Sequence, residues 1–103
     1  MGKKYQLRYL PLFEQDLADV RDYIAIKLAN PAAAERLVEE TEKAIKERLF
    51  SPLSFKAYNS AKDREHKYYR IYVKNFTVFY VVIDNVMEVR RFMYLKRDID
   101  KLV

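Results

Sequence analysis

Three apolar runs separated by two short polar breaks constrain the fold of this chain more than any other feature. Residues 68–97 read YYRIYVKNFTVFYVVIDNVMEVRRFMYLKR, and the breaks are Lys74-Asn75 and Asp84-Asn85. Period-two segments rich in Val, Ile, Tyr and Phe with two-residue breaks are typical of antiparallel strands. Asn and Asp tolerate the left-handed backbone that such turns need. The pattern therefore predicts a three-stranded antiparallel meander.

The first third of the chain predicts one strand and one helix. Residues 4–10 alternate weakly between two faces, which favours a strand. Pro11 is suited to the first turn of a helix, and an apolar stripe at helical spacing follows it. We therefore expect a helix over 11–29 whose buried stripe is Phe13, Leu17, Val20, Ile24 and Leu28.

A second helix follows a break at Asn30-Pro31. Proline disfavours a helical residue before it, Asn is a good N-cap, and Pro suits the first helical position. These signals predict a helix over 31–49 that forms an antiparallel hairpin with the first. The polar, basic residues 52–67 predict a loop, with room for a weak extra strand, and 98–103 predict a short tail.

The order strand, helix, helix and three strands predicts an α+β fold in one domain over residues 1–103. The helical hairpin is expected to cover one face of an antiparallel sheet. The other face is only partly apolar and is expected to remain open to a partner.

Several classes of function are excluded by composition. Gly2 is the only glycine, so no glycine-rich phosphate loop or dinucleotide fingerprint is present, and any phosphate must be held by Arg and Lys side chains. Cysteine is absent and there is one histidine, His66, which is expected to be an exposed loop residue. We expect no cofactor, no metal and no membrane contact, and a cytoplasmic location.

The net positive charge of +5 lies entirely in the second half of the chain. Residues 1–50 contain nine Lys/Arg and nine Asp/Glu, whereas residues 51–103 contain eleven and six. This asymmetry favours a polyanionic or acidic protein partner. The alternative is a solvated surface that only keeps the protein soluble.

Three blocks together resemble the RelE/ParE superfamily of bacterial toxins from type II toxin–antitoxin modules. They read DLADVRDYIAIKLANPAAAERLVEETEKAI (16–45), YYRIYVKNFTVFYVV (68–82) and VRRFMYLKRDIDKLV (89–103). Each block is degenerate alone, but their order and spacing extend the resemblance over nearly the whole chain. The resemblance implies a cytoplasmic toxin that a cognate acidic antitoxin holds inactive.

Two activities are implied by the resemblance, and the sequence leaves both open. RelE-like members cleave messenger RNA on the ribosome, and ParE-like members poison DNA gyrase. A third hypothesis is a non-catalytic protein- or nucleic-acid-binding module on the same scaffold, because a fold does not fix a function.

The candidate catalytic residues, if the protein cleaves RNA, are Arg70, Arg97 and Tyr72. By this resemblance, Arg70 and Arg97 (or Lys96 beside it) match basic positions of RelE-like nucleases and would hold phosphate, while Tyr72 stands where a second basic residue is usual. Thr77 stands in place of an arginine, and the tail DIDKLV contains neither tyrosine nor histidine. Tyrosine is a poor base at neutral pH, so the catalytic set is incomplete.

A wider basic and aromatic surface is predicted for antitoxin or nucleic acid. Arg90 and Arg91 are adjacent on a strand, so we expect their side chains on opposite faces, with one of them paired to a helix carboxylate. Glu88 shares a face with Arg90 and is expected to neutralise it in part. The predicted binding residues are Lys74, Arg90, Arg91, Tyr94 and Lys96.

Overall fold

The computed structural model describes residues 4–57 and 66–95 of the chain. Its elements are β1 (Gln6–Tyr9), α1 (Pro11–Asp22), a π-helical turn (Tyr23–Lys27), α2 (Pro31–Arg48), β2 (Tyr69–Val73), β3 (Phe76–Ile83) and β4 (Val86–Tyr94). The α+β order is the predicted one. Lys96, Arg97, the predicted tail and residues 58–65 of the predicted loop lie outside the described residues.

The predicted meander is confirmed. β2 pairs antiparallel with β3, and β3 pairs antiparallel with β4. Lys74 and Asp84, the first residue of each two-residue break, have left-handed backbones with φ of 53° and 55°. Both breaks are therefore tight turns that join neighbouring strands.

The sheet as a whole is mixed, so the expectation of an antiparallel sheet was wrong for the first strand. The strand order is β1-β4-β3-β2, and β1 runs parallel to β4. The two-residue turns fix the direction of the meander strands only. β1 reaches the sheet through the whole helical hairpin, and no local turn fixes its direction.

The helical hairpin covers one face of the sheet and encloses the main core. α2 begins as predicted, with the Asn30 side-chain oxygen accepting a hydrogen bond from the Ala33 N–H at 3.1 Å. Strands contribute to this core through alternate residues. Its buried members are Phe13, Leu37, Ile45, Ile71, Val73, Val78, Tyr80, Met87, Val89 and Phe92.

The first helix is shorter than the predicted 11–29. The Leu28 N–H donates to the Tyr23 carbonyl five residues back at 3.1 Å, which is the π-helical hydrogen bond. The wider turn changes the angular position of the residues after it. Leu28 is consequently 56% exposed and Ile26 is 74% exposed, so the predicted stripe is packed on the core only as far as Ile24.

A second, smaller apolar cluster lies on the face of the sheet opposite the helices. It consists of Tyr68, Phe79, Val81 and Met93. The Tyr68 and Phe79 rings meet edge to face, with centroids 6.2 Å apart. This helix-free face therefore has an apolar centre, and the charged side chains described below surround it.

Candidate functional site

A β-bulge in β4 determines where the paired arginines lie. Phe79 is opposite Arg91 and Tyr80 is opposite Val89, which leaves Arg90 without a partner in β3. The extra residue breaks the alternation of side chains, so Arg90 and Arg91 both lie on the helix-free face. The expectation that they point to opposite faces was therefore wrong, because that rule holds only for an unbroken ladder.

Glu88 is a buried carboxylate between two arginines. Its Oε1 is 2.9 Å from Arg8 Nη1, and its Oε2 is 2.9 Å from Arg90 Nε. Burial alone would raise the pKa of Glu88, but hydrogen bonds from Arg8 and Arg90 hold that pKa below its usual value. Arg90 Nη1 also donates to the Tyr68 hydroxyl at 3.2 Å. Glu88 and Arg90 therefore neutralise each other, as predicted.

Arg91 joins the sheet to α1. Its Nε is 2.7 Å from Asp16 Oδ2, and its Nη2 is 3.2 Å from Asp16 Oδ1. Asp16 also accepts the Phe92 N–H at 3.0 Å. β1 pairs with β4 only as far as Val89, so Asp16 caps the strand edge beyond that point. One arginine of the pair thus has the helix carboxylate that the sequence predicted.

Arg70 and Tyr72 lie together on β2, on the helix-free face. Arg70 is opposite Phe79 and Tyr72 is opposite Thr77 in the β2–β3 register. The Arg70 guanidinium carbon is 5.3 Å from the centre of the Tyr72 ring, and Tyr72 is 56% exposed. Thr77 is fully buried, so it adds no side chain to this surface. The two residues form a cation–aromatic pair in which Tyr72 is exposed and Arg70 is half-buried.

The other predicted binding residues are spread over the molecule. Lys74 Nζ is 3.5 Å from Glu40 Oε2 of α2 in an exposed ion pair. The Tyr94 ring packs against Phe76 with centroids 5.4 Å apart. Lys96 and Arg97 lie outside the described residues. The structure thus brings Arg70, Tyr72, Arg90 and Arg91 to one face and places Lys74 in the turn after β2.

A hydrogen-bond network centred on Arg48 supports β2, and the sequence does not predict it. Arg48 Nη1 donates to the Arg70 carbonyl and to the Tyr80 hydroxyl, each at 2.9 Å. The Tyr80 hydroxyl donates to the Pro52 carbonyl at 2.7 Å, and burial raises the pKa of this tyrosine. The Arg48 guanidinium also lies 3.5 Å from the centre of the Phe55 ring. These contacts hold the backbone at Arg70 in place. They could not be predicted, because an arginine in a helix gives no sequence signal for its tertiary contacts.

Metal and membrane sites are not evident in the part of the chain that the structure describes. Within 4–57 and 66–95, no group of three or more His, Cys, Asp or Glu side chains is arranged to hold a metal ion. None of the described helices has the length and apolar composition needed to cross a bilayer.

A family model described as the ParE toxin of the type II toxin–antitoxin system parDE matches residues 7–99. The chain belongs to the ParE toxin family. It is accordingly a toxin of a type II toxin–antitoxin system. The matched range includes both helices, all three meander strands and most of β1.

Solved structures support the fold of this ParE-family toxin. The chromosomal ParDE system of P. aeruginosa superposes with a TM-score of 0.74 at 13% identity, covering 90% of this chain and 98% of that chain. The RelB–RelE antitoxin–toxin complex of Methanococcus jannaschii superposes with a TM-score of 0.52 at 20% identity, covering 93% and 99%. No match was found among curated proteins.

Proposed function

We propose that this ParE-family toxin arrests growth in the cytoplasm by binding DNA gyrase, and that Arg70 and Tyr72 are part of the contact surface. Arginine and tyrosine are enriched among the residues that dominate protein interfaces, because both offer large areas together with polar groups. Arg70 and Tyr72 present these groups on a rigid strand whose backbone is held by Arg48.

The electrostatics of the described residues are the observation that favours contact over RNA cleavage. RNA cleavage needs cations that can take up the charge developing on the phosphate. Arg90 and Arg91, which lie on the same face as Arg70, already have carboxylate partners.

Ribosome-dependent mRNA cleavage is the second candidate, and Arg70 with Tyr72 is also the observation that favours it. An exposed tyrosine can stack on an unpaired base, and an arginine beside it can hold the adjacent phosphate. On this alternative Arg97 would be the second phosphate-binding cation.

An antitoxin is the expected partner in either case. The P. aeruginosa structure is of a ParDE system, and the M. jannaschii structure is an antitoxin–toxin complex. By analogy, we propose a cognate antitoxin encoded next to this toxin. Arg90, Arg91 and Lys74 are each ion-paired within the toxin, so an acidic antitoxin segment that contacts them would compete with Glu88, Asp16 and Glu40.

Expression of the toxin in cells distinguishes gyrase inhibition from mRNA cleavage. We expect growth arrest that co-expression of the neighbouring antitoxin reverses, relaxed plasmid DNA, and transcripts that remain intact. Cleaved transcripts with normal supercoiling would instead establish the nuclease. Normal growth with neither change would establish a non-catalytic binding module.

A further inference from the structure

A groove runs between α1 and α2, on the side of the sheet opposite Arg70 and Tyr72. It consists of two cavities, of about 240 Å³ and 380 Å³, that share Arg21 and Val38 in their walls. The smaller cavity begins at Tyr9, at the end of β1. The lining of the larger one includes small apolar residues from the π-helical turn and from the start of α2, namely Ala25, Pro31 and Ala34. Such a lining leaves room for the larger apolar side chains of a partner.

The rim of this groove is acidic, although the whole chain has a net charge of +5. Five carboxylates and one arginine line the two cavities. The arginine, Arg21, is itself paired with Asp22 at 3.1 Å. The local field therefore favours a cation, which is the opposite of what the overall charge predicts. The carboxylates are Glu14, Asp22, Glu35, Glu39 and Glu42.

Tyr9 lines the smaller cavity of the groove and carries a hydroxyl group. Its oxygen is buried and has no hydrogen-bond partner among the described residues. Burial raises the pKa of Tyr9, and the negative charges of Glu42 and Glu14 raise it further. A buried hydroxyl without a partner is costly, and native structures retain few such groups. The Tyr9 ring stacks on the buried Phe13 ring with centroids 5.3 Å apart.

We propose that the groove is a docking site for a peptide segment of a partner protein in which apolar side chains accompany one arginine or lysine. The cation lies between Glu14 and Glu42 and donates an N–H to the Tyr9 hydroxyl oxygen. The apolar side chains fill the cavity beside Ala25 and Ala34. Charge complementarity selects this occupant, because an acidic segment would meet five carboxylates. The site is independent of whether the toxin acts on gyrase or on mRNA.

The proposed cation-binding position can be tested with a small cationic molecule and its neutral analogue. We would titrate the ¹⁵N-labelled full chain with n-butylguanidinium, and separately with neutral n-butylurea, and follow amide shifts by NMR. We expect the cation to shift Tyr9, Ala18 and Val38 and to bind about fivefold more tightly than the urea, because ion pairs in a partly buried site outweigh neutral contacts. Equal binding of the two probes, or shifts elsewhere only, would overturn the proposal.

Substitutions in the groove test where the cation binds. Glu14→Gln and Glu42→Gln are each expected to weaken n-butylguanidinium binding about fivefold, and Tyr9→Phe about threefold, since each removes one partner of the cation. Asp84→Asn is the control, because it removes an exposed carboxylate at the β3–β4 turn, away from the groove. Unchanged affinity in all three groove variants, or an equal loss in Asp84→Asn, would contradict the assignment.

The segment itself can be tested with a matched peptide pair. A short helical peptide with leucine along one face and a single central arginine is compared with the same peptide containing citrulline, the neutral isostere. Fluorescence anisotropy is expected to show about tenfold tighter binding of the arginine peptide to the wild type, as for a buried charge pair. That preference should vanish in the Glu14→Gln, Glu42→Gln double variant. Equal affinity of the two peptides for the wild type would exclude recognition of a cation.

Discussion

Arg91 of β4 forms a two-bond ion pair with Asp16 of α1, with Nε–Oδ2 at 2.7 Å and Nη2–Oδ1 at 3.2 Å. Both side chains are mostly buried, and Asp16 also accepts the Phe92 N–H. The arginine that the sequence assigns to a binding surface therefore attaches the helical hairpin to the sheet. Its first role is in stability.

Removing Asp16 tests that role. Asp16→Ala is expected to lower the free energy of unfolding by about 2–3 kcal/mol, because it removes a carboxylate that accepts from both the partly buried Arg91 guanidinium and the Phe92 N–H. Asp16→Asn retains an oxygen for Phe92 and should lose about half as much. Urea unfolding at neutral pH measures both. A loss below about 0.5 kcal/mol in Asp16→Ala, the level of an exposed pair, would contradict a structural role.

The Glu88 cluster predicts a pH dependence in the acid range. The folded-state pKa of Glu88 is lowered, so the cluster stabilises the fold above the unfolded-state pKa, which is near 4.5. That contribution is lost as the pH falls through the folded-state value. The wild type should therefore lose more stability than Glu88→Gln on acidification, and their urea midpoints should converge. Parallel pH profiles of the two proteins would show that Glu88 is not the titrating group.

Two tyrosines are expected to respond oppositely to loss of their hydroxyls. Tyr9→Phe should raise the free energy of unfolding by about 1 kcal/mol, because the buried Tyr9 oxygen has no partner among the described residues. Tyr80→Phe should lower it by about 1–2 kcal/mol, because that hydroxyl bonds to both Arg48 and Pro52. Thermal or urea unfolding compares the pair. Destabilisation by both would indicate that Tyr9 has a partner.

Arg70 and Tyr72 are expected to matter for activity and not for folding. Arg70→Ala and Tyr72→Ala should each weaken toxicity by about tenfold in the inducer dose needed for arrest, the loss typical of an interface residue worth about 1.4 kcal/mol. Arg97→Ala is expected to act in the same way. Lys46→Ala, which removes an exposed cation of α2, is the control. Full toxicity in Arg70→Ala and Tyr72→Ala proteins of unchanged stability would remove β2 from the functional surface.

The parts of the fold that could be predicted are those set by local chemistry. The two-residue breaks at Lys74 and Asp84 fix the meander, and Asn30-Pro31 fixes the start of α2. The direction of β1 could not be predicted, because it depends on pairing with a strand eighty residues away. The π-helical turn was also missed, since helical spacing alone does not distinguish a turn that is one residue wider.

The candidate site was predicted in part. The pairing of Glu88 with Arg90 follows from their spacing on one strand, and it is present. The bulge at Arg90 depends on the register with β3, which a single strand does not reveal, so both arginines lie on the same face. The groove at Tyr9 could not be predicted from the sequence. Its carboxylates lie on the two helices and the Tyr9 hydroxyl lies on β1. These elements come together only when the helical hairpin packs on the sheet.

The most direct test of the proposed function is negative supercoiling by purified DNA gyrase in the presence of the purified toxin, with mRNA on translating ribosomes followed in parallel. The proposed function predicts inhibited supercoiling that the antitoxin restores, with Arg70→Ala requiring about tenfold more toxin, and intact transcripts. Full gyrase activity at saturating toxin, together with cut transcripts, would contradict it.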